Sequence, residues 1–179
     1  MKLRPYQQEV AKAVLDSVQK GKGLTFSVEI ARQGGKNELS AHLEVLLLTL
    51  YMAAGGSLVK CSPTFKPQTI ISMQRLKERL DEFGFDGIYR TEMGYIISLG
   101  SAREVFLSAE ESSSVVGHTA DILLEIDESQ DVSKEKYSNL FYTQYPKFVA
   151  YTPGRSEEVI NGKDAINANT KSYKGRSLP

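Results

Sequence analysis

Two short stretches carry side chains suited to phosphate chemistry. Ala31-Arg32-Gln33-Gly34-Gly35-Lys36-Asn37 follows an apolar-leaning run at 24–30, and Asp127-Glu128 closes the apolar run at 122–126. Paired glycines let backbone N–H groups turn toward phosphate oxygens, and a helix starting just after them points its positive end at the same place. Lys36 adds a point charge for the β- and γ-phosphates. An acidic pair at the end of a buried strand supplies the complementary chemistry: Asp127 to hold Mg²⁺ and Glu128 to orient and deprotonate a water. Either stretch alone has an ordinary structural explanation, a glycine corner or a solvated acidic turn. Together they point to a protein that binds and hydrolyses a nucleoside triphosphate. The loop departs from G-x-x-x-x-G-K-[ST], with Ile30 in place of the first Gly and Asn37 in place of the hydroxyl residue.

The elements that must position these groups are legible from periodicity. Pro5 opens a helix with Val10, Ala13, Val14 and Val18 at helical spacing. Leu24, Phe26, Val28 and Ile30 alternate as a strand face. The helix after the glycines carries the stripe Leu39, Leu43, Leu46, Leu47, Leu50 and Ala54, stopped at Gly55-Gly56. A short strand at 57–61 precedes a second amphipathic helix, with Met73, Leu76, Leu80 and Phe83 inward and Arg75, Lys77, Glu78 and Arg79 mostly outward. Residues 95–99 and 103–107 read as a hairpin, 122–126 as a buried strand, 131–145 as a helix and 148–151 as a further strand. This alternation predicts an α/β P-loop NTPase domain (RecA/ASCE-like), with a mostly parallel central sheet flanked by helices. It spans 1–154; beyond it, 155–179 lacks periodicity and reads as a poorly ordered or truncated tail.

Composition narrows the field. Of 179 residues 41% are hydrophobic and 25% charged, enough for a core, and 22 basic residues balance 22 acidic ones. Any DNA contact is therefore a local patch. The single Cys61 excludes an internal disulfide, no Cys/His cluster suggests zinc, and the N-terminus reads as no signal peptide. No apolar run is long enough to span a bilayer.

The motifs, taken in order, resemble the ATPase domain of the large terminase subunit, the DNA-packaging motor of tailed bacteriophages. Leu3-Arg4-Pro5-Tyr6-Gln7 is similar to that family's adenine-side motif, and 31–37 to its deviant phosphate loop. Ser62-Pro63-Thr64 resembles the strand end after the first helix. Leu107-Ser108-Ala109-Glu110 and Gly117-His118-Thr119-Ala120-Asp121 resemble the approach to the acidic strand. Glu125-Ile126-Asp127-Glu128-Ser129-Gln130-Asp131 resembles the acidic motif, and Tyr151-Thr152-Pro153-Gly154 the coupling motif. The resemblance implies ATP and Mg²⁺ as ligands. Gln7, Arg32, Gln33, Gly34, Gly35, Lys36 and Asn37 would bind nucleotide, Asp127 the metal. Glu128 and Arg32 would be catalytic, and Thr152 would couple hydrolysis to motion. It also implies double-stranded DNA, a homo-oligomeric ring, portal and small terminase subunit as partners, and the cytoplasm of the infected bacterial host. The family's C-terminal nuclease is not carried over, since nothing after Gly154 resembles it.

Other readings compete. A helicase-like DNA translocase shares the glutamine and acidic motifs, and a non-hydrolysing nucleotide- or DNA-binding assembly module suits Asn37. Glu125 is a charge in a strand that ought to be buried; on the Asp127 face, it borders the site or finds a cationic partner. His42 reads as a surface or boundary residue. Lys60, Lys66, Arg75, Lys77 and Arg79 read as solvated charges rather than a DNA-binding face, because acidic residues interleave with them.

Overall fold

The computed structural model describes residues 2–30, 33–110 and 118–133, together with the strand backbone at 149–151 and 170–174. The helix predicted at 131–145 therefore lies almost wholly outside the described residues, as do Arg32 and Thr152.

Helix α1 (Pro5–Gln19) starts where proline costs nothing, and the Gln7 side chain accepts a hydrogen bond from the Arg4 N–H at 2.7 Å to cap it. Strand β1 (Thr25–Glu29) buries Phe26 and Val28, as the alternation predicts. Helix α2 (Lys36–Tyr51) follows, then β2 (Gly56–Ser62), an irregular turn at Phe65–Thr69 and α3 (Ile70–Glu82). Strands β3 (Arg90–Glu92), β4 (Ile96–Leu99) and β5 (Ala102–Ser108) form an antiparallel meander. Strand β6 (Leu123–Ile126) leads into a 3-10 turn at Ser129–Asp131; β7 (Val149–Tyr151) and β8 (Thr170–Lys174) complete the described strands.

Strand β2 pairs in parallel with β5 on one side and β6 on the other, giving the order β3-β4-β5-β2-β6. Strand β1 lies between β7 and β8, parallel to both. Among the described residues the two sheets are separate in their hydrogen bonding, and β7 of the first lies beside β6 of the second. Parallel strands end on the same side, which brings the loops after β1 and β6 to one edge. Among the described residues the result is a three-stranded parallel sheet beside a five-stranded mixed one, flanked by helices. All four β6 residues are buried although β6 ends its hydrogen-bonded sheet, because β7 lies beside it.

Several expectations change. Leu46 and Leu50 are 41% and 53% exposed, and Phe83 is 52% exposed. The apolar stripe of α2 is wider than the arc it buries, because Ser40, His42 and Glu44 take up part of that arc. His42 is buried: its Nδ1 lies 2.8 Å from the Glu38 carbonyl and its ring meets Phe83 edge-on. Within the stretch read as a loose tail, Thr170–Lys174 adds a strand beside β1. Its sequence, Thr-Lys-Ser-Tyr-Lys, has no apolar alternation, so only backbone pairing with β1 reveals it.

Candidate active site

The loop after β1 is held from below by α1. Tyr6 donates its hydroxyl to the Gly34 carbonyl at 2.5 Å, and the Gln7 amide nitrogen donates to the Gly35 carbonyl at 2.8 Å. Gly35 is the α2 N-cap, with φ +80, and a Cβ there would lie 2.6 Å from Gln7 Nε2. The left-handed backbone favours glycine, and a Cβ would also displace the Gln7 amide from its bond to the Gly35 carbonyl. Gly35→Ala is therefore expected to lower the unfolding free energy by about 1–2 kcal/mol, read by urea denaturation. Unchanged stability would mean that the loop tolerates a Cβ against Gln7. Gln33 also has positive φ, so the chain turns sharply before entering the helix. The first N–H groups of α2 thus face the loop without intrahelical partners. Asn37 sits half-buried in that first turn.

Across the loop, Asp127 extends the β6 pairing by one hydrogen bond, from its N–H to the Cys61 carbonyl at 2.8 Å. Glu128 then takes a left-handed conformation, φ 48 and ψ 50, and its N–H donates to Asp127 Oδ1 at 3.0 Å. A non-glycine residue held there is strained, which marks the turn as more than a connection. Lys36 Nζ lies 2.7 Å from Asp127 Oδ1 and is also ion-paired to Glu128. The structure thus brings Lys36, Asp127 and Glu128 together. It differs from the solvent-facing lysine that the sequence suggests, since the Lys36 side chain is only 14% exposed.

The donors suit Mg²⁺. They are hard carboxylate oxygens beside a phosphate-type loop. Among the described residues no group of three or more His, Cys, Asp or Glu side chains would hold a metal unaided. Mg²⁺ characteristically takes one or two carboxylates and completes its shell with substrate phosphates and water.

Behind this layer lies a buried polar group that sequence reasoning only partly anticipated. Glu125 finds its cationic partner in Lys60, at 3.2 Å; Lys60 also contacts Glu44 at 2.7 Å and Ser40 at 2.5 Å. Lys60 is 3% exposed, not a surface charge. Burial alone would lower its pKa, but the charges of Glu125, Glu44 and Asp127 outweigh that and hold it well above the usual lysine range. Burial pushes the Glu125 carboxyl up to about 7 against the opposing pull of Lys60. Burial and the adjacent Glu44 charge drive Glu104 well above the usual carboxylate range. A sequence signal for Lys60 existed: a lysine inside Leu58-Val59-Lys60-Cys61 that must face a partner if the strand is central. Tyr6 was visible only as part of its motif.

Comparison with known proteins gives the fold a class. No protein-family model matches the chain, and no curated protein matches it in sequence. Its fold is the P-loop NTPase fold of phage large terminase ATPase domains. The HK97 bacteriophage large terminase matches with a TM-score of 0.76 and 18% identity, over 99% of this chain and 40% of that one. The large terminase of a thermophilic bacteriophage, in complex with ADP, matches at 0.68 with 13% identity, over 97% and 45%. The Thermus phage P74-26 large terminase ATPase domain matches at 0.65 with 14% identity, over 97% and 80%. The chain thus spans about 40% of the length of the HK97 protein.

Proposed function

We propose that this chain is an ATP-binding and ATP-hydrolysing motor domain of a phage large terminase, driving double-stranded DNA into procapsids. The observation carrying the reading is the convergence of Lys36 with Asp127 and Glu128 where the loops after β1 and β6 meet. We assign the ATPase domain to residues 1–154 with the strand Thr170–Lys174 added. Portal, small terminase subunit, a homo-oligomeric ring and the cytoplasm of the infected host follow from the terminase likeness as part of the same proposal.

In this mechanism Lys36 leaves the two carboxylates and binds the β- and γ-phosphates, with the Gly34-Gly35 backbone and the start of α2 beside it. Asp127, released from the lysine, would hold Mg²⁺. When bound, the ion neutralises charge on the phosphate oxygens. Glu128, also released, orients the attacking water and accepts its proton. Gln7, its amide bonded to the Arg4 N–H and the Gly35 carbonyl, supports the loop from α1 on the nucleotide side, while Gln33 shapes the turn. Arg32 is assigned to transition-state charge and Thr152 to coupling; both lie outside the described residues.

Phosphate release from ATP tests the reading, measured with double-stranded DNA and at high protein concentration because turnover depends on a ring. A parent chain that binds nucleotide and releases no phosphate would instead be a passive binding module. Asn37 offers a second test. If its amide only partly replaces a hydroxyl at the metal, Asn37→Ser and Asn37→Thr are expected to keep or raise Mg²⁺-dependent turnover. Complete loss in both would assign Asn37 a specific role in holding the loop.

A further inference from the structure

Helix α2 and strand β6 meet twice. The first meeting, Lys36 with Asp127, belongs to the proposed site and must dissolve when the lysine turns to phosphate. A contact that breaks on binding cannot set the spacing of the elements it joins. The second lies directly behind. Ser40 stands one turn after Lys36, and Glu125 two residues before Asp127 on the same strand face. Ser40 donates to Glu125 Oε1 at 2.5 Å and lies 2.8 Å from Glu44 Oε1. Lys60, directly opposite Glu125 in the β2–β6 register, ties all three together. Each of these four residues is at most 3% exposed.

A buried ionic group of this kind is a poor way to gain stability, because well-packed apolar residues would serve as well or better. What it supplies is directional: hydrogen bonds in a low-dielectric interior fix distance and orientation, where apolar packing tolerates sliding. Nothing in the proposed hydrolysis uses these groups as acid, base or ligand. They touch the backbone segments that carry the ligands.

We propose that Ser40, Lys60 and Glu125 are positioning residues, a permanent clamp that holds β6 at a set distance from α2, so that the Asp127 carboxylate meets a metal on phosphates bound at the start of α2. The inference rests on the nucleotide reading above. Outer partners that orient metal ligands are typically worth about 10–100-fold in metal affinity. Ser40→Ala removes one link without changing charge. Lys60→Met/Glu44→Gln/Glu125→Gln removes the lysine together with both carboxylates it contacts, so that neither is left buried without its counter-ion, and serves if the first variant does not fold.

The experiment is calorimetric titration with a non-hydrolysable ATP analogue, with and without Mg²⁺, on folded protein verified by circular dichroism. The expected result is that the analogue binds both variants as it binds the parent without Mg²⁺, while the tightening that Mg²⁺ adds falls about tenfold. Unchanged Mg²⁺ tightening in both variants would overturn the inference and leave the network a structural one. Equal losses with and without Mg²⁺ would overturn it too, since the network would then be shaping the phosphate loop instead of the acidic strand. Failure of the parent itself to bind would sink the nucleotide reading and this inference with it; normal parent binding separates the two failures.

Discussion

Lys36→Ala should lose ATP affinity by about 10²-fold, the cost of roughly 3 kcal/mol for a charge-assisted contact to phosphate. The sequence alone suggests that the nucleotide-free protein would not notice the change. The structure says otherwise. Lys36 is largely buried and stands between two carboxylates, so its removal leaves Asp127 and Glu128 facing each other without their shared cation. Deleting one partner of a buried pair costs several kcal/mol; with Glu128 still 21% exposed to water, about 2 kcal/mol is expected, a fall in Tm of roughly 4–8 °C. The two effects separate cleanly. Thermal unfolding without nucleotide reads the ion pairing, and equilibrium titration at a temperature where the variant is folded reads the phosphate contact. A variant that binds ATP like the parent would make the glycine loop a structural corner.

How far the sequence revealed this arrangement depended on the kind of signal. Strand β6 and the glycine loop were legible because an apolar run and a Gly-Gly-Lys turn have few other uses in combination. Strand β1 was legible through its period of two, since Phe26 and Val28 face inward while Ser27 and Glu29 do not. The helix faces were less so. Leu46, Leu50 and Phe83 fit an apolar stripe yet point outward, because burial is decided by which neighbours cover the helix. Charged residues inside the fold were hardest. Lys60 reads as a surface charge until β2 is known to be central and Glu125 is known to lie opposite it. Glu125 was noticed as anomalous, but its partner comes from a strand more than sixty residues away, a pairing that no local pattern encodes. Strand β8 was missed for the opposite reason: its backbone pairs where its side chains give no apolar signal.

Glu128→Gln separates a motor from a passive binder. A general base contributes about 10²–10⁴ in rate, or roughly 3–5 kcal/mol of barrier. Glutamine keeps the shape and hydrogen-bonding reach of the side chain and tolerates the left-handed backbone at this position no better and no worse. It lacks the basic oxygen. It also removes one of the two carboxylates paired with Lys36, a pairing that the proposed mechanism must break before the lysine meets phosphate. ATP·Mg²⁺ binding is therefore expected to persist or tighten, while single-turnover hydrolysis slows by about 10²-fold or more. Asp127→Asn should behave differently: it is expected to weaken the response to Mg²⁺ itself, because the lost charge belongs to the proposed metal ligand. Run together, single-turnover hydrolysis and binding titration place each carboxylate in its role. A parent that turns over while Glu128→Gln keeps pace would move the base elsewhere. Glu125, on the Asp127 face of β6, is then the next residue to test. Its bonds to Ser40 and Lys60 make that a demanding alternative, since a base held by a buried lysine has little freedom to accept a proton from water.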